Sequence, residues 1–377
     1  MTSEERHELR YRRRRARRSR RKRLECRDYD SFDKIFSYDN MYRAYRKCIL
    51  GVRWKASVQK YIANALYNIA VARRDVLTGR LRVKNVYEFD LYERGKKRHI
   101  RSIGINERVV QRCICDESVV PMLTRSFIYD NGASMPRKGV QFSRDRLKHH
   151  LMSYARGHEG GYVLVFDFKS YFESVPHELI FRILCKAYSD RRIVNLMMYF
   201  VTFIHKERGM DLGSQISQTL ALAAANAVDH YIKERLGFKY YARYMDDGYI
   251  ICESKEKLNE AMMKLRTFTD SIGLKLNAKK TRIVKLTKGF VFLKNRYRVL
   301  GKKIVIVPTK DSTVRMRRKL KKFVRFVTEG RMTYMDVVQS YRAWESHLKG
   351  SRCYRIKQNM AERFDRLFVP LLKYGYG

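Results

Sequence analysis

The order of elements between residues 160 and 276 predicts an α+β fold, an antiparallel sheet backed by helices of the split βαβ kind. Three stretches carry that expectation. "YVLVFDF" (162–168) is a continuous apolar run of strand length, as a fully buried strand requires. "YMDDGYI" (244–250) sets an Asp-Asp-Gly turn between runs that read as buried strand, which is hairpin chemistry. "ESKEKLNEAMMKLRTFTDSIG" (253–273) repeats Leu258, Ala261, Met262, Leu265, Phe268 and Ile272 at helical spacing, and a short strand "LKLN" follows.

The other elements are read in chain order. "RHELRYRRRRARRSRRKR" (6–23) has too little apolar content to build a core, so residues 1–38 read as a basic arm. Neutralising about eight phosphates, such an arm would lose affinity with roughly the seventh power of salt on a duplex, and less steeply on single strands. Its plainer role is solubility or targeting. Residues 39–85 look helical, with Trp54, Val58, Ile62, Ala65 and Leu66 on one face. Residues 93–120 begin as an alternating strand and turn amphipathic-helical at "NERVVQRCICDESVV". Residues 129–151 form a glycine-containing loop that runs into a helix. A helix starts at "PHEL", another runs from about 214 to 236, and "RIVKL", "GFVFLKNRYRVL" and "KKIVIVP" read as strands. Residues 311–377 are helical and basic.

Composition bounds the function. With 82 Lys and Arg against 38 Asp and Glu, the chain carries a formal charge of +44, so its partner is polyanionic. Nucleic acid is the leading candidate and an anionic membrane surface the lesser one. Twenty-six tyrosines offer stacking partners for bases, although core packing accounts for most aromatics. The seven cysteines form no CxxC pair and no metal spacing with His, which argues against zinc and for a reducing, cytoplasmic setting. "LALAAANAV" and "IVNLMMYFVTFI" are too short to cross a bilayer, so a soluble protein without a membrane role is expected.

The acid pair decides between a bland turn and a site. Asp167 ends the most apolar strand and Asp246-Asp247 tip the hairpin, so neighbouring strands would converge three carboxylates. Two carboxylates about 4 Å apart repel by roughly 4 kcal/mol at an effective dielectric of 20. Two Mg²⁺ ions would remove that repulsion and are the machinery of in-line phosphoryl transfer; Mn²⁺ is able to substitute.

These ordered motifs resemble those of a reverse transcriptase over about residues 90–310. "FDFKSYF" is similar to the family's motif A and "YMDD" to its motif C, which implies that Asp167, Asp246 and Asp247 are the catalytic metal ligands. The resemblance implies a right-hand polymerase: fingers and palm at 39–310, the palm sheet ferredoxin-like or RRM-like, and a helical thumb at 311–377. It implies an RNA-directed DNA polymerase extending a primer 3′-hydroxyl with dNTPs on template RNA, and thus an RNA/DNA hybrid as ligand. Phe172 would gate the sugar against a 2′-hydroxyl, with Tyr171 one position away as the alternative. "KKRHIR" resembles the fingers cations on the triphosphate, with Arg98 first and Lys97 and Arg101 beside it. Phe168, Gly213, Ser217 and Gln218 complete the implied nucleotide site. "SMPRKGV" resembles the template-seating loop, with Arg137 as its contact, and Tyr244 and Met245 would meet template or primer. "LNAKKT" resembles motif D, leaving Lys279 or Lys280 as general acid. "GFVFLK" resembles the primer grip, although Lys294 stands where the family usually has Gly.

"LGSQISQ" (212–218) sorts among the types. Leu212 and Gln218 depart from the intron and retron pattern, and LGxxxSQ resembles diversity-generating retroelements, whose enzymes copy template adenines poorly. That resemblance implies a structured non-coding RNA and a small accessory protein as partners. An antiviral-defence or retron-like reverse transcriptase is the alternative, an RNA polymerase and a catalytically dead nucleic-acid scaffold the remoter ones. After residue 310 the expectation is a thumb, with no RNase H, endonuclease or maturase domain.

Overall fold

The structure, a computed structural model, describes residues 26–84, 86–93, 95–203, 207–211 and 213–373, together with Glu5, Leu9 and Arg13. The basic run 6–23 therefore lies outside the described residues, apart from Leu9 and Arg13. Leaving single-turn pieces aside, the chain runs α1 Tyr38–Cys48, α2 Ala56–Ala63, α3 Ala65–Leu77, β1 Val86–Glu93, β2 Lys96–Ile103, α4 Ile105–Ile114 and α5 Val140–Gly157. It continues with β3 Tyr162–Asp167, α6 His177–Ala187, α7 Arg191–Thr202, α8 Gln215–His230, β4 Tyr241–Tyr244, β5 Asp247–Cys252 and α9 Lys255–Ser271. Then come β6 Arg282–Lys285, β7 Phe290–Phe292, β8 Asn295–Leu300, β9 Lys303–Pro308, and the helices α10 Lys310–Thr328, α11 Tyr334–Ser346 and α12 Tyr354–Lys373. Among the described residues no helix is long and apolar enough to span a membrane.

The chain divides into two compact units. One comprises Met1–Arg137, Phe168–Arg235 and Leu265–Leu276; the other comprises Lys138–Asp167, Leu236–Lys264 and Asn277–Gly377. In the first, Phe32, Ile35 and Phe36 are buried, so the chain is already core-forming at the end of the expected arm. Leu220 to Ala225 of α8 are all buried, which explains why this helix is apolar all round. β1 and β2 form a two-stranded antiparallel ribbon, Glu88 opposite Arg101 and Asp90 opposite His99.

The second unit is built on a sheet of order β4-β5-β3-β6, all pairs antiparallel. Val163 and Val165 of β3 share a core with Tyr249 and Ile251 of β5 and with Leu147 and Leu151 of α5. Leu164 and Phe166 point to the opposite face and are buried too. Burial on both faces is why "YVLVFDF" lacks alternation, and each such side chain contributes about 1.5–3 kcal/mol. β7, β8 and β9 form a separate three-stranded meander. In α10, Met316, Leu320, Phe323 and Val327 recur at helical spacing and pack with Val337, Trp344, Met360, Phe364 and Phe368 of α11 and α12. Arg and Lys residues fill the positions between them, giving the basic amphipathic helix expected of this region.

The α+β expectation holds, with two local corrections. Residues 39–85 are three helices, not one continuous face. Val58 is buried, but Trp54 is 73% exposed and Leu66 74% exposed, because the chain turns at Gly51 (φ +73°) and again at Asn64. The fourth sheet strand is "RIVK" and not "LKLN": Leu276 makes one isolated bridge to Phe168, and the chain then turns at Asn277 before β6 pairs with β3.

Candidate active site

The second unit gathers the three acids. β3 and β5 pair so that Asp167 lies opposite Asp247, and β4 pairs with β5 so that Tyr244 lies opposite Asp247. The two-residue turn is Met245-Asp246, with Met245 at φ +54°. Arg243, fully buried, locks that turn by donating from Nη1 to the Met245 carbonyl at 2.7 Å. Gly248 follows because nothing larger fits: a Cβ there would lie 2.3 Å from Cζ of Phe166, whose ring covers the backbone. The Asp-Asp-Gly stretch is thus a hairpin turn and a carboxylate cluster at once.

"LNAKKT" wraps Asp167. The Asn277 backbone N–H donates to the Asp167 carbonyl at 2.7 Å, its Nδ2 approaches Oδ1 at 3.4 Å, and its Oδ1 accepts from the Lys279 N–H at 3.1 Å. That turn aims Lys280, not Lys279, at the acid: Lys280 Nζ lies 2.6 Å from Asp167 Oδ2. Burial works against the Lys280 ammonium, yet the hydrogen bond and charge of Asp167, with Asp247 and Asp246 beyond, raise its pKa.

Burial, then the charge of Asp167, raises the Asp246 carboxyl; burial, then Asp246 and Asp167, pushes Asp247 up to about 7. Among the described residues no group of three His, Cys, Asp or Glu side chains is arranged to hold a metal ion as it stands. The donor chemistry nevertheless fits a hard divalent cation. Three buried or half-buried carboxylates lie together with the Lys280 ammonium and the buried Arg243, and burial with mutual repulsion makes Asp246 and Asp247 hold protons unusually well, a cluster that a divalent cation would relieve.

Tyr244 is half-buried against the β-sheet core, and burial raises its hydroxyl. Lys294, with Leu293, forms the two-residue turn between β7 and β8. Its φ of +68° is the left-handed conformation that glycine takes at no steric cost, so the departure from Gly leaves a tight hairpin.

The first unit holds a second group. Phe168 stacks on Tyr171 with centroids 5.0 Å apart, and the Tyr171 hydroxyl donates to the Ala221 carbonyl. Tyr171 is thereby core, whereas Phe172 stays half-buried, edge-on to Tyr171. Gly213 is exposed at φ +96°, Ser217 is buried in the first turn of α8, and Gln218 accepts from the Ser134 hydroxyl at 3.2 Å. Ser134 belongs to "SMPRKGV", so two motifs 84 residues apart meet. Arg137 is exposed in that loop at φ +60°. Leu212 lies outside the described residues. Lys97 pairs with Asp90 at 2.9 Å and Arg101 with Glu88 at 3.0 Å, both part of an ionic ladder along the ribbon with His99 between them. Arg98 sits opposite Leu91 in the ribbon register.

Sequence reasoning passed over Asn277, Arg243 and Phe166. Asn277 carried an available signal, since Asn-x-Lys is Asx-turn chemistry. Arg243 carried none, because an Arg beside a tyrosine pair reads as a surface cation.

The family model described as "Reverse transcriptase (RNA-dependent DNA polymerase)" matches residues 89–304. Protein YkfC of Escherichia coli (strain K12) is 24% identical over 243 residues, 54% of this chain and 63% of that protein, so the chain spans less than two thirds of its relative. Two solved structures are similar at low identity. Telomerase from Candida albicans in complex with a TWJ fragment of telomeric RNA gives a TM-score of 0.48 at 12% identity, over 71% of this chain and 55% of that one. Apo telomerase from Candida tropicalis, truncated from its C-terminal domain, gives 0.46 at 11%, over 64% and 60%. The family match takes in both acidic motifs and more than half of the sequence, and the chain belongs to the reverse transcriptase (RNA-dependent DNA polymerase) family.

Proposed function

We propose that this protein is an RNA-directed DNA polymerase that extends a primer 3′-hydroxyl with dNTPs on template RNA. The observation that carries the reading is the pairing of Asp167 opposite Asp247, with Asp246 in the adjoining turn and Lys280 on Asp167. Asp167, Asp246 and Asp247 would hold two Mg²⁺ ions, which supply activation of the hydroxyl and charge stabilisation of the leaving pyrophosphate. Lys280 is the proton donor of the pair Lys279 and Lys280, since its ammonium already stands at the acids. Phe172 excludes a ribose 2′-hydroxyl, with Tyr171 edge-on beside it. Arg137 and the Gln218 segment seat template and incoming base, Lys294 belongs to the turn that holds the primer, and the basic α10 tracks the hybrid.

The "LGSQISQ" segment favours error-prone cDNA synthesis of the diversity-generating retroelement type, with a structured RNA and a small accessory protein as partners. A residue without a hydrogen-bonding side chain at 212 checks base-pair geometry less strictly. The test is primer extension on a defined RNA template with Mg²⁺ and dNTPs, beside the Asp246→Ala/Asp247→Ala variant, with products sequenced. Extension lost in the variant supports the polymerase, and errors concentrated opposite adenine support the retroelement type. No extension with any template, with or without neighbouring RNA and proteins, would sink the reading.

A further inference from the structure

The first unit carries an exposed tryptophan on a tight turn between two helices. Ile49 and Val58 are both buried, and between them the chain makes a short ordered knuckle. Val52 N–H donates to the Ile49 carbonyl at 3.3 Å, Lys55 N–H to the Val52 carbonyl at 3.1 Å, and Val58 N–H to the Lys55 carbonyl at 2.9 Å. Gly51, at φ +73°, permits the reversal. The knuckle's outer surface is Leu50, 67% exposed, and Trp54, 73% exposed, flanked by exposed Arg53 and Lys55. Lys55 Nζ lies 5.4 Å from the Trp54 ring centroid.

Exposing an indole forgoes a large burial gain, so a fold that anchors both sides of Trp54 and still presents it marks a contact surface. Charge decides the kind of partner. From Asn40 to Arg74 the sequence holds eight cations, Arg43, Arg46, Lys47, Arg53, Lys55, Lys60, Arg73 and Arg74, and no acid. Arg43 and Lys47 answer Glu117 and Asp116, and Arg74 answers Asp75; among the described residues no ion pair occupies Arg46, Arg53, Lys55 or Lys60. An aromatic face between unneutralised cations matches a base above and phosphates to either side.

We propose that the Trp54 knuckle is a binding site for single-stranded RNA, with a base stacked on Trp54 and the flanking phosphates on Arg53 and Lys55. The polymerase reading enters only in choosing RNA as the probe, and the test below needs no polymerase activity.

The chain has two tryptophans, and Trp344 is buried in the α10–α12 core, so a Trp344→Phe variant leaves Trp54 as sole reporter. Oligouridylate should quench its emission and shield it from acrylamide, while polyglutamate of equal charge should not. Arg53→Ser/Lys55→Ser should weaken the titration about tenfold and lower the salt slope by about 1.4, at roughly 0.7 per phosphate contact on single strands. Trp54→Ala, followed by labelled-RNA anisotropy, should lose a similar factor. Four results would overturn the proposal: RNA bound by anisotropy with unchanged Trp54 emission; polyglutamate acting as well as RNA, which would indicate an acidic protein partner; Trp54 already shielded in self-associated protein; or Trp344→Phe unfolding with Trp54→Ala, in the Trp344 background, binding RNA like the parent.

Discussion

Lys280 holds its ammonium 2.6 Å from Asp167 Oδ2, while its sequence neighbour Lys279 spends its backbone N–H on the Asn277 side chain and projects to solvent. Which of the two lysines meets the acid cluster is thus chosen by a turn. Lys280→Ala should lower kcat for single-nucleotide incorporation about 10²-fold at saturating primer and dNTP, the usual scale for a lost general acid. Lys279→Ala should stay within about twofold, since an exposed side chain away from the acids offers no proton at the reacting atoms. Equal losses from both would remove the assignment.

Asp247 gives a pH prediction with a definite sign. Burial, then Asp246 and Asp167, pushes its carboxyl from 3.8 up to about 7. The folded chain therefore keeps a proton that the unfolded chain has released, so stability is full below the unfolded value and falls as pH rises toward 7. In EDTA, the melting temperature should decline between about pH 4 and pH 7 by this route. Asp247→Asn, which does not ionise, should flatten the decline and melt above the parent at neutral pH while losing extension. Divalent cation should restore the parent by mass action and leave the variant nearly unmoved. A variant that melts lower than the parent in EDTA at neutral pH would contradict the burial argument.

Phe172 and Tyr171 separate by burial. Tyr171 gives its hydroxyl to the Ala221 carbonyl in the core, and Phe172 is half-exposed. Phe172→Ala should therefore relax discrimination against ribonucleotides by about tenfold or more, read as the ratio of kcat/KM for dNTP over rNTP. Tyr171→Phe should cost about 1 kcal/mol of stability for its lost hydrogen bond and leave that ratio alone. The opposite result would move the gate by one residue.

Much of this site was legible because its constraints are local. Asp167 ends a run whose unbroken apolarity announces a central strand, and Asp246-Asp247-Gly248 declares both a turn and a charge problem. Trp54 was misread because periodicity is blind to a reversal at Gly51, which detaches the indole from the face that Val58 keeps. Lys280 over Lys279 was not legible, since the choice depends on how the Asn277 side chain folds the turn. Least legible was Arg144, which sits in α5 among other charged residues and looks like a solvated cation, yet its partners lie 149 and 203 residues away.

That residue yields the prediction with the widest structural reach within its unit. Arg144 is only 7% exposed, and its Nε and Nη2 reach the Leu293 carbonyl at 3.2 and 2.7 Å while Nη1 reaches the His347 carbonyl at 2.9 Å. Leu293 and Lys294 form the β7–β8 turn, and the Lys294 carbonyl accepts from Thr309 N–H at the start of α10. One guanidinium thus joins α5, the β7–β8 turn and the end of α11. Arg144→Ala leaves two carbonyls without their charged donor and should cost about 3 kcal/mol in denaturant unfolding. Arg144→Lys, a point charge without the fork, should recover about half of that. If Lys294 and its turn hold the primer, Arg144→Lys should also raise the KM for primer–template about tenfold, the effect of a lost interaction worth about 1.4 kcal/mol, while kcat on bound primer changes little. A destabilised Arg144→Lys variant with the parent's primer KM would make Arg144 a fold residue alone.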